Sequence, residues 1–257
     1  MSRHGTMFRV VRWVWRLPPV RARVRFWLWW GSIFPYQRII YRNRVLAWGR
    51  DRRAAYRVVF PEPPIGKTVL YVGCHVGSYC FMAASEGAEL CLGIDIVSSR
   101  VRKGNTLARK QRIQNVEFVA ADTFDCELST TFDVVICLNL LHHTKTIDRA
   151  NLLIDKLYSV ARERLTFIVV LTSSPLATYE CVTNDEVEYI YISERHFESK
   201  YGRECLQVIP IAPELYGPNR AAITVYKPKA LEEDVIHAHT TNSRPTNCLF
   251  SQARLAE

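Results

Sequence analysis

The sequence lacks the patterns that mark secreted, disulfide-linked and membrane-spanning proteins. Its eight cysteines include no C-x-x-C pair, and most lie in apolar runs, where a thiol behaves as a small hydrophobe. With no secretory signal, this pattern predicts a reducing, cytoplasmic compartment. The longest uncharged run near the N-terminus, Phe26 to Gln37, has twelve residues, which are too few to span a bilayer.

Acidic residues are almost missing from the start of the chain. Residues 1–57 carry fourteen arginines and one acid, Asp51, so this segment nets +13 and the remaining 200 residues net −4. All six tryptophans also precede residue 49. This asymmetry predicts an anionic partner, either RNA or a membrane surface to which the protein binds peripherally. In the alternative interpretation, the aromatics pack on the main domain and the arginines form its solvated rim. An organellar transit peptide is a third, less favoured interpretation.

The spacing of apolar residues divides the 257-residue chain into three regions. Residues 1–60 are predicted to form a basic, largely helical extension, with helical segments at 35–41 and 45–59. Residues 61–229 alternate strand and helix patterns, as in a Rossmann-like α/β domain. Residues 230–257 are polar and without periodicity, which predicts a mobile tail.

Within the α/β region, the pattern predicts strands at 68–73, 90–96, 116–120, 132–138 and 165–171. The predicted helices cover 77–86, 98–113 (capped by Ser98 or Ser99), 147–163 and 193–201 (capped by Ser193). A long irregular connection is expected at 173–190. Two final strands, 205–211 and 221–226, are expected to be joined by a turn-rich loop.

A glycine turn follows the first of these strands and opens a helix. Such a turn lets the backbone approach a ligand closely, and the helix N-terminus offers unpaired N–H groups. The third glycine of a dinucleotide fingerprint is missing at the required spacing, which disfavours NAD. The candidate cofactor-binding residues in the turn are Gly73, Cys74, His75 and Gly77.

Polar residues follow the next strands at the same edge of the sheet. Asp95, with Ile96 beside it, ends the second strand, where a carboxylate can accept both ribose hydroxyls of a nucleoside. Asp122 and Thr123 follow the third strand, and Asp122 is placed to meet an adenine amino group. Asn139 follows the fourth strand and is expected to face the reacting group, because open α/β sheets bind ligands at the carboxyl ends of their strands.

These motifs resemble those of class I S-adenosylmethionine (SAM)-dependent methyltransferases, in the family's order and spacing. The matching stretches are TVLYVGCHVG at 68–77, GID at 93–95, AD at 121–122 and FDVVICLNLLHH at 132–143. The resemblance implies SAM as the cofactor and a seven-stranded, mostly parallel sheet whose last strand is antiparallel. The segments at 36–39 and 66–70 are also loosely similar to wobble-uridine tRNA methyltransferases.

Two positions depart from the family pattern. Tyr71 stands where the family usually has an acid that orients the amino-acid part of SAM, and His75 replaces the middle glycine of the turn. A degenerate, non-catalytic SAM-fold module is therefore an alternative to an active enzyme.

Two adjacent histidines, His142 and His143, are the candidate catalytic residues. Either could act as a base, since the ordinary pKa of histidine lies near physiological pH. The alternative is structural, with one ring stacked under the loop and the other bonded to backbone. No neighbouring cysteine or acid completes a metal site, so no metal is expected.

The sequence thus predicts an enzyme that moves a methyl group from SAM to an acceptor, with RNA or tRNA as the leading acceptor. A membrane-associated enzyme acting on a lipid, quinone or glycan precursor is the alternative.

Overall fold

The computed structural model describes residues 37–174, 176–184 and 186–228. The predicted tail and the first 36 residues of the predicted extension lie outside the described residues. In chain order the strands are β1 (Ile39–Tyr41), β2 (Arg44–Ala47), β3 (Thr68–Val72), β4 (Leu90–Asp95), β5 (Val116–Ala120), β6 (Phe132–Leu138), β7 (Ala161–Val170), β8 (Tyr179–Asn184), β9 (Val187–Ile192), β10 (Leu206–Ile211) and β11 (Arg220–Tyr226). The helices are α1 (Arg53–Val59), α2 (Ser78–Ser85), α3 (Ser98–Lys110), α4 (Ile147–Val160), α5 (Glu194–Tyr201) and α6 (Pro213–Tyr216).

Seven strands form one sheet in the order β10–β11–β7–β6–β3–β4–β5. Strands β3 to β7 run parallel to their neighbours among themselves, whereas β11 runs antiparallel to both β7 and β10. Strand β6 lies between β3 and β7 and is buried along nearly its whole length, as expected of a central parallel strand that is apolar on both faces. The predicted seven-stranded sheet with an antiparallel last strand is confirmed.

Helices cover both faces of the sheet and divide the core in two. One apolar cluster joins the sheet to α1, α2 and α3, and the other joins it to α4, α5 and strand β9. Among the described helices, none is long and apolar enough to cross a membrane.

The predicted helices at 35–41 and 45–59 are wrong for most of their described residues. Residues 39–47 form the antiparallel hairpin β1–β2, and only residues 53–59 are helical. The hairpin turn contains Arg42 and Asn43 with φ of 45° and 61°. Two consecutive left-handed residues make the tight turn that suits the twist of a hairpin, and the apolar spacing alone did not reveal it.

The predicted irregular connection at 173–190 is also wrong, because most of it forms the hairpin β8–β9. The last six residues of this hairpin read Val-Glu-Tyr-Ile-Tyr-Ile, rich in the β-branched and aromatic residues typical of strands. The hairpin packs on the loop that follows β6. Tertiary contact therefore supplies the stabilisation that an isolated two-stranded hairpin lacks.

One of the two predicted helix caps differs from the observed one. Neither Ser98 nor Ser99 caps α3: Val97 is the N-cap residue, and its N–H donates instead to the Asp95 carboxylate at 2.9 Å. Ser193 is the N-cap residue of α5, as predicted, although its hydroxyl makes no capping bond and donates instead to the Thr178 carbonyl at 3.1 Å. Helix α4 ends at Val160 rather than at residue 163, because β7 begins there.

The ring of Phe118 on β5 lies in a cradle of three glycines. A Cβ atom would lie 2.0 Å from the ring at Gly77, 2.5 Å at Gly93 and 2.8 Å at Gly104. These glycines belong to the turn after β3, to β4 and to α3, so the absence of three side chains lets the helices approach the sheet around one aromatic ring. The start of α2 is thereby held against β5.

Replacing Gly104 with alanine is therefore expected to destabilise the protein, although alanine normally favours a helix over glycine by about 1 kcal/mol. The new methyl group would overlap the Phe118 ring, and overpacking costs about 1–3 kcal/mol. Urea unfolding measures the change. In a Phe118→Leu background the same substitution should lower stability markedly less. Equal losses of stability in both backgrounds would contradict the close approach of Gly104 to the Phe118 ring.

Candidate active site

The turn between β3 and α2 has a left-handed backbone at three positions. Gly73, His75 and Gly77 adopt φ of 71°, 56° and 89°. Gly77 cannot carry a side chain there because of Phe118, whereas His75 bears the strain that a side chain suffers in this region, of order 1 kcal/mol. The turn leaves Gly73 and His75 half-buried at the edge of the sheet, accessible to a ligand.

The Asp95 carboxylate holds this turn from the end of β4. Its Oδ2 accepts the His75 N–H at 2.8 Å, and its Oδ1 accepts the Val97 N–H at 2.9 Å. A guanidinium nitrogen of Arg100 lies 3.7 Å from Oδ1. A carboxylate offers about four lone-pair positions, so this buried group can still accept ribose hydroxyls while it supports the turn.

The neighbours of Asp95 differ sharply in exposure. The Ile96 side chain is 66% exposed and offers an apolar surface beside the carboxylate. Cys74 points inward: its thiol is buried, its Sγ donates to the His75 carbonyl at 3.6 Å, and burial raises the pKa of the Cys74 thiol well above its usual value. Cys74 can therefore reach a ligand only through its backbone.

The loop after β5 is folded around Asp122. Its Oδ1 accepts the Phe124 N–H at 2.9 Å, and its carbonyl accepts the N–H groups of Asp125 and Cys126. These bonds close a turn around Asp122 and so set the direction of its second carboxylate oxygen. The adjacent Thr123 is buried. In this arrangement the second carboxylate oxygen of Asp122 is suited to accept a hydrogen bond from an amino group of a ligand.

Lys156, on helix α4, fixes this loop from beneath. Its ammonium group donates to the carbonyls of Thr123 at 2.7 Å and Phe124 at 3.1 Å, and also to that of Cys126. Sequence reasoning missed this residue, because a lysine within an amphipathic helix normally points to solvent.

The exit of β6 lies next to the turn after β3. A Cβ on Gly73 would lie 3.3 Å from the side chain of Leu140. Asn139 adopts a left-handed φ of 56°, donates its N–H to the Ile168 carbonyl at 2.9 Å, and accepts a hydrogen bond from the Arg220 guanidinium through its side-chain oxygen. The fold thus brings the predicted residues of four strands to one edge and adds Arg220 from β11.

The two histidines lie on a short 3-10 helix with different exposures. His142 is buried and His143 is exposed, with ring centroids 4.0 Å apart. Tyr189, from the unexpected strand β9, lies 6.0 Å from His142 at an interplanar angle of 27° and 5.6 Å from His143. Tyr189 is a second residue that sequence reasoning missed, although the strand-like composition of β9 could have indicated it.

Burial and positive charge keep both histidines neutral. Burial, followed by the neighbouring His143 and Arg220, lowers the pKa of His142 to about 3. Partial desolvation of its otherwise exposed ring, followed by the charge of Arg220, also lowers the pKa of His143 below its ordinary value. The buried Nδ1 of His142 has no hydrogen-bond partner within the described residues. His142 fits the structural interpretation, while His143 is accessible.

The two residues that depart from the family pattern, Tyr71 and His75, lie in different environments. Tyr71 is a core residue whose ring packs edge-on against Tyr79 at 5.6 Å, and burial raises its pKa well above the usual value. It therefore supplies no negative charge. The Tyr79 hydroxyl lies 2.8 Å from that of Tyr216, over whose ring the buried Arg52 guanidinium lies at 3.8 Å.

His75 stays at the surface of the turn, half-buried. Burial, followed by the charge of Arg100, lowers its pKa to about 4, so it is neutral at physiological pH. Its side chain occupies space beside the ligand edge without adding charge.

The residues at this edge fit a nucleoside such as that of SAM. A half-buried glycine turn, a carboxylate with spare acceptor capacity and an exposed apolar side chain lie in succession at the ends of β3 and β4. The loop held by Lys156 adds an acceptor at the end of β5. Within residues 37–174, 176–184 and 186–228, no group of three histidine, cysteine or acidic residues is placed to hold a metal ion.

Comparison with known proteins identifies the domain. Residues 65–208 match a family model described as a methyltransferase domain, which is more than half of the chain. Among curated proteins, ubiquinone biosynthesis O-methyltransferases of Acinetobacter baumannii strains AYE and ACICU are 32% identical over 80 residues, or 30% of this chain. The match covers 33% of each relative, so the chain spans about a third of the length of the curated relatives it matches.

Solved structures share the fold at low identity. Magnesium protoporphyrin IX methyltransferase from Synechocystis PCC 6803, with bound SAM, aligns with a TM-score of 0.51 and 21% identity, over 68% of this chain and 77% of that one. A 1,6-didemethyltoxoflavin-N1-methyltransferase from Burkholderia thailandensis aligns with a TM-score of 0.56 and 18% identity, over 68% and 77%.

Replacing Lys156 with methionine is expected to weaken SAM binding about tenfold, since hydrogen bonds from a charged group are worth about 1.5–3 kcal/mol and the loop carrying Asp122 would lose its anchor. Isothermal titration measures the affinity. Lys200→Met removes a lysine paired with Asp155 on the surface and should leave affinity unchanged. Equal affinities for the two variants would refute the anchoring role.

The lowered pKa of His142 predicts a pH-dependent stability. The unfolded histidine binds a proton below about pH 6.5 while the folded one does not, so stability is complete above that pH and is lost as pH falls toward 3. Between pH 7 and pH 5, wild type should lose about 2 kcal/mol more than His142→Phe, measured by urea unfolding. Identical pH slopes would show that the folded His142 titrates normally.

Proposed function

The chain belongs to the methyltransferase domain family and carries a class I SAM-dependent methyltransferase domain, and from that premise we propose that it methylates a hydroxyl oxygen on an aromatic ring. The observation that carries the proposal is the cluster of Tyr189, His143 and Arg220 at the carboxyl edge of β6. These residues place an aromatic ring, a neutral base and a cation close to one another.

The cofactor side of this proposal uses the residues at the ends of β3, β4 and β5. Asp95 would accept the ribose hydroxyls, with Ile96 against the adenine ring and Asp122 and Thr123 at its amino group. The backbone of the glycine turn, from Gly73 through Cys74 and His75 to Gly77, would approach the methionine part closely. When bound, SAM supplies a methyl group activated by the positive charge of its sulfonium.

The departures at Tyr71 and His75 concern the affinity for SAM rather than the methyl-transfer step. Neither side chain is charged at neutral pH, so neither repels the cationic sulfonium. The methionine ammonium loses the acid that the family usually provides, and the backbone of the turn with Asn139 takes a larger share of its binding. Comparison with the family favours an enzyme over a non-catalytic module.

On the acceptor side, His143 would take the proton of the ring hydroxyl. Its pKa is lowered, so it is neutral at pH 7 and able to accept a proton through an exposed ring. The guanidinium of Arg220, held by Asn139, would favour the phenolate form of the acceptor, for the same reason that its charge lowers the pKa of both histidines. Proton removal and charge stabilisation then act on one oxygen.

Tyr189 would orient the acceptor ring. Its own ring is tilted only 27° from that of His142, so a planar acceptor can stack along this wall with its hydroxyl toward His143. Methyl transfer depends mainly on alignment and exclusion of water, and a stacking wall serves both. The O-methyltransferase relatives, whose names refer to ubiquinone biosynthesis, support an oxygen nucleophile on a ring of this kind.

The proposal is tested with methyl-labelled SAM and a panel of catechol-type phenols, with total tRNA as the competing acceptor. A methyl ether identified by mass spectrometry is the expected product. His143→Gln should lower kcat about 100-fold, as loss of a general base does, and should remove the rise of kcat with pH.

Variants of the hairpin separate acceptor binding from catalysis. Tyr189→Ala should raise the KM for the phenol about tenfold, the equivalent of about 1.4 kcal/mol, with little change in kcat. The matched control is Tyr179→Ala, an exposed tyrosine on the neighbouring strand β8, which should leave both constants unchanged. Methylation of tRNA with no phenol product would overturn the assigned acceptor class.

A further inference from the structure

The hairpin β1–β2 is anchored at its base and exposed at its tip. Ile39 and Ile40 are buried in the core beside α2. In contrast, Arg42, Asn43 and Arg44 at the turn are all exposed. The hairpin therefore presents its turn to the surroundings on a rigid support.

The exposed part of the hairpin combines apolar and cationic groups. Val45 is 39% exposed, and Trp48, just after β2, is 62% exposed. Residues 37–50 contain four arginines and no acid. The first acid that follows, Asp51, is paired with Arg38 and Arg53, both of which flank the hairpin rather than lie at its tip.

Aromatic and cationic side chains of the hairpin also contact one another. The Arg42 guanidinium lies 5.4 Å from the ring centre of Tyr41, and that of Arg38 lies 5.4 Å from the ring of Trp48. Such pairs let an amphipathic ring lie at an interface while the cation beside it reaches phosphate groups. This pairing of aromatic and cationic groups suits a partner surface with an apolar interior covered by a layer of anionic groups.

The sequence that precedes the hairpin favours a lipid surface over RNA as the partner. The run from Phe26 to Gln37 is uncharged and contains Trp27, Trp29 and Trp30, with arginines on both sides of it. Proteins that bind single-stranded RNA combine stacking aromatics with a cationic groove that follows the backbone. Within the run from Phe26 to Gln37 the aromatics are separated from the charges, as in segments that lie at a bilayer interface.

We propose that the β1–β2 hairpin, with Arg42, Arg44 and Trp48, is a docking surface for an anionic lipid bilayer. The arginines at the turn bind lipid phosphates, and Trp48 with Val45 enters the headgroup region. Docking brings the methyltransferase domain to a surface where lipophilic acceptors collect. The proposal does not depend on the identity of the methyl acceptor.

The test measures co-sedimentation of the full chain with vesicles, without SAM or acceptor, so that its outcome is independent of the proposed chemistry. Vesicles of phosphatidylcholine alone are compared with vesicles in which roughly one headgroup in four is phosphatidylglycerol. Wild type should bind the anionic vesicles, and binding should weaken as salt is raised.

Three variants identify the surface. Arg42→Gln/Arg44→Gln should lower binding to anionic vesicles about 25-fold, because each arginine near such a surface contributes about fivefold. Trp48→Ala should lower binding to both kinds of vesicle, since its contribution is apolar. The matched control is Arg109→Gln/Lys110→Gln, which removes two exposed cations from the last turn of α3 and should change binding little.

Circular dichroism and SAM titration confirm that each variant is folded. The proposal is overturned if wild type does not bind anionic vesicles, or if the α3 pair weakens binding as much as the hairpin pair. It is also overturned if single-stranded polyuridylate binds wild type more tightly than the vesicles do and the hairpin pair abolishes only that binding.

Discussion

The buried carboxylate of Asp95 joins the two loops on which the proposed cofactor site depends. It accepts one backbone N–H from the turn after β3 and another from the start of α3. Each bond satisfies a backbone donor that the left-handed turn or the helix terminus would otherwise leave unpaired. The same oxygens keep acceptor capacity, so under the proposed function the carboxylate that holds the turn would also accept the ribose hydroxyls. Strain at His75 is tolerated because this contact over-determines its conformation.

The proposed acceptor side of the site depends on strands that come late in the chain. Arg220 reaches Asn139 because β11 inserts between β10 and β7, and Tyr189 reaches the histidines because the β8–β9 hairpin folds back over the end of β6. The proposed cofactor contacts thus come from the ends of β3 to β6, whereas the proposed acceptor contacts come from the loop after β6, from β9 and from β11.

The replacement of an acid by Tyr71 makes sense once its surroundings are considered. Tyr71 packs against Tyr79 in a layer of tyrosines that continues to Tyr216 and to the buried guanidinium of Arg52. An ionised acid at position 71 would lose most of its hydration there, whereas a tyrosine adds apolar area and remains neutral. The segment of residues 37–60 therefore packs on the domain through aromatic and cation–π contacts and leaves the tip of its hairpin exposed.

The sequence by itself determined the sheet, its central strands and the edge at which the site lies. Strands such as 116–120 and 132–138 were predicted with their observed bounds, because apolar periodicity and glycine punctuation are local signals. The positions of Asp95, Asp122 and Asn139 after parallel strands followed from the same signals. Tertiary structure alone decided what these residues do: the bonds of Asp95 to two loops, the anchoring of the Asp122 loop by Lys156, and the neutrality of His142. Those properties depend on burial and on partners distant along the chain, and neither is encoded in the spacing of neighbouring residues.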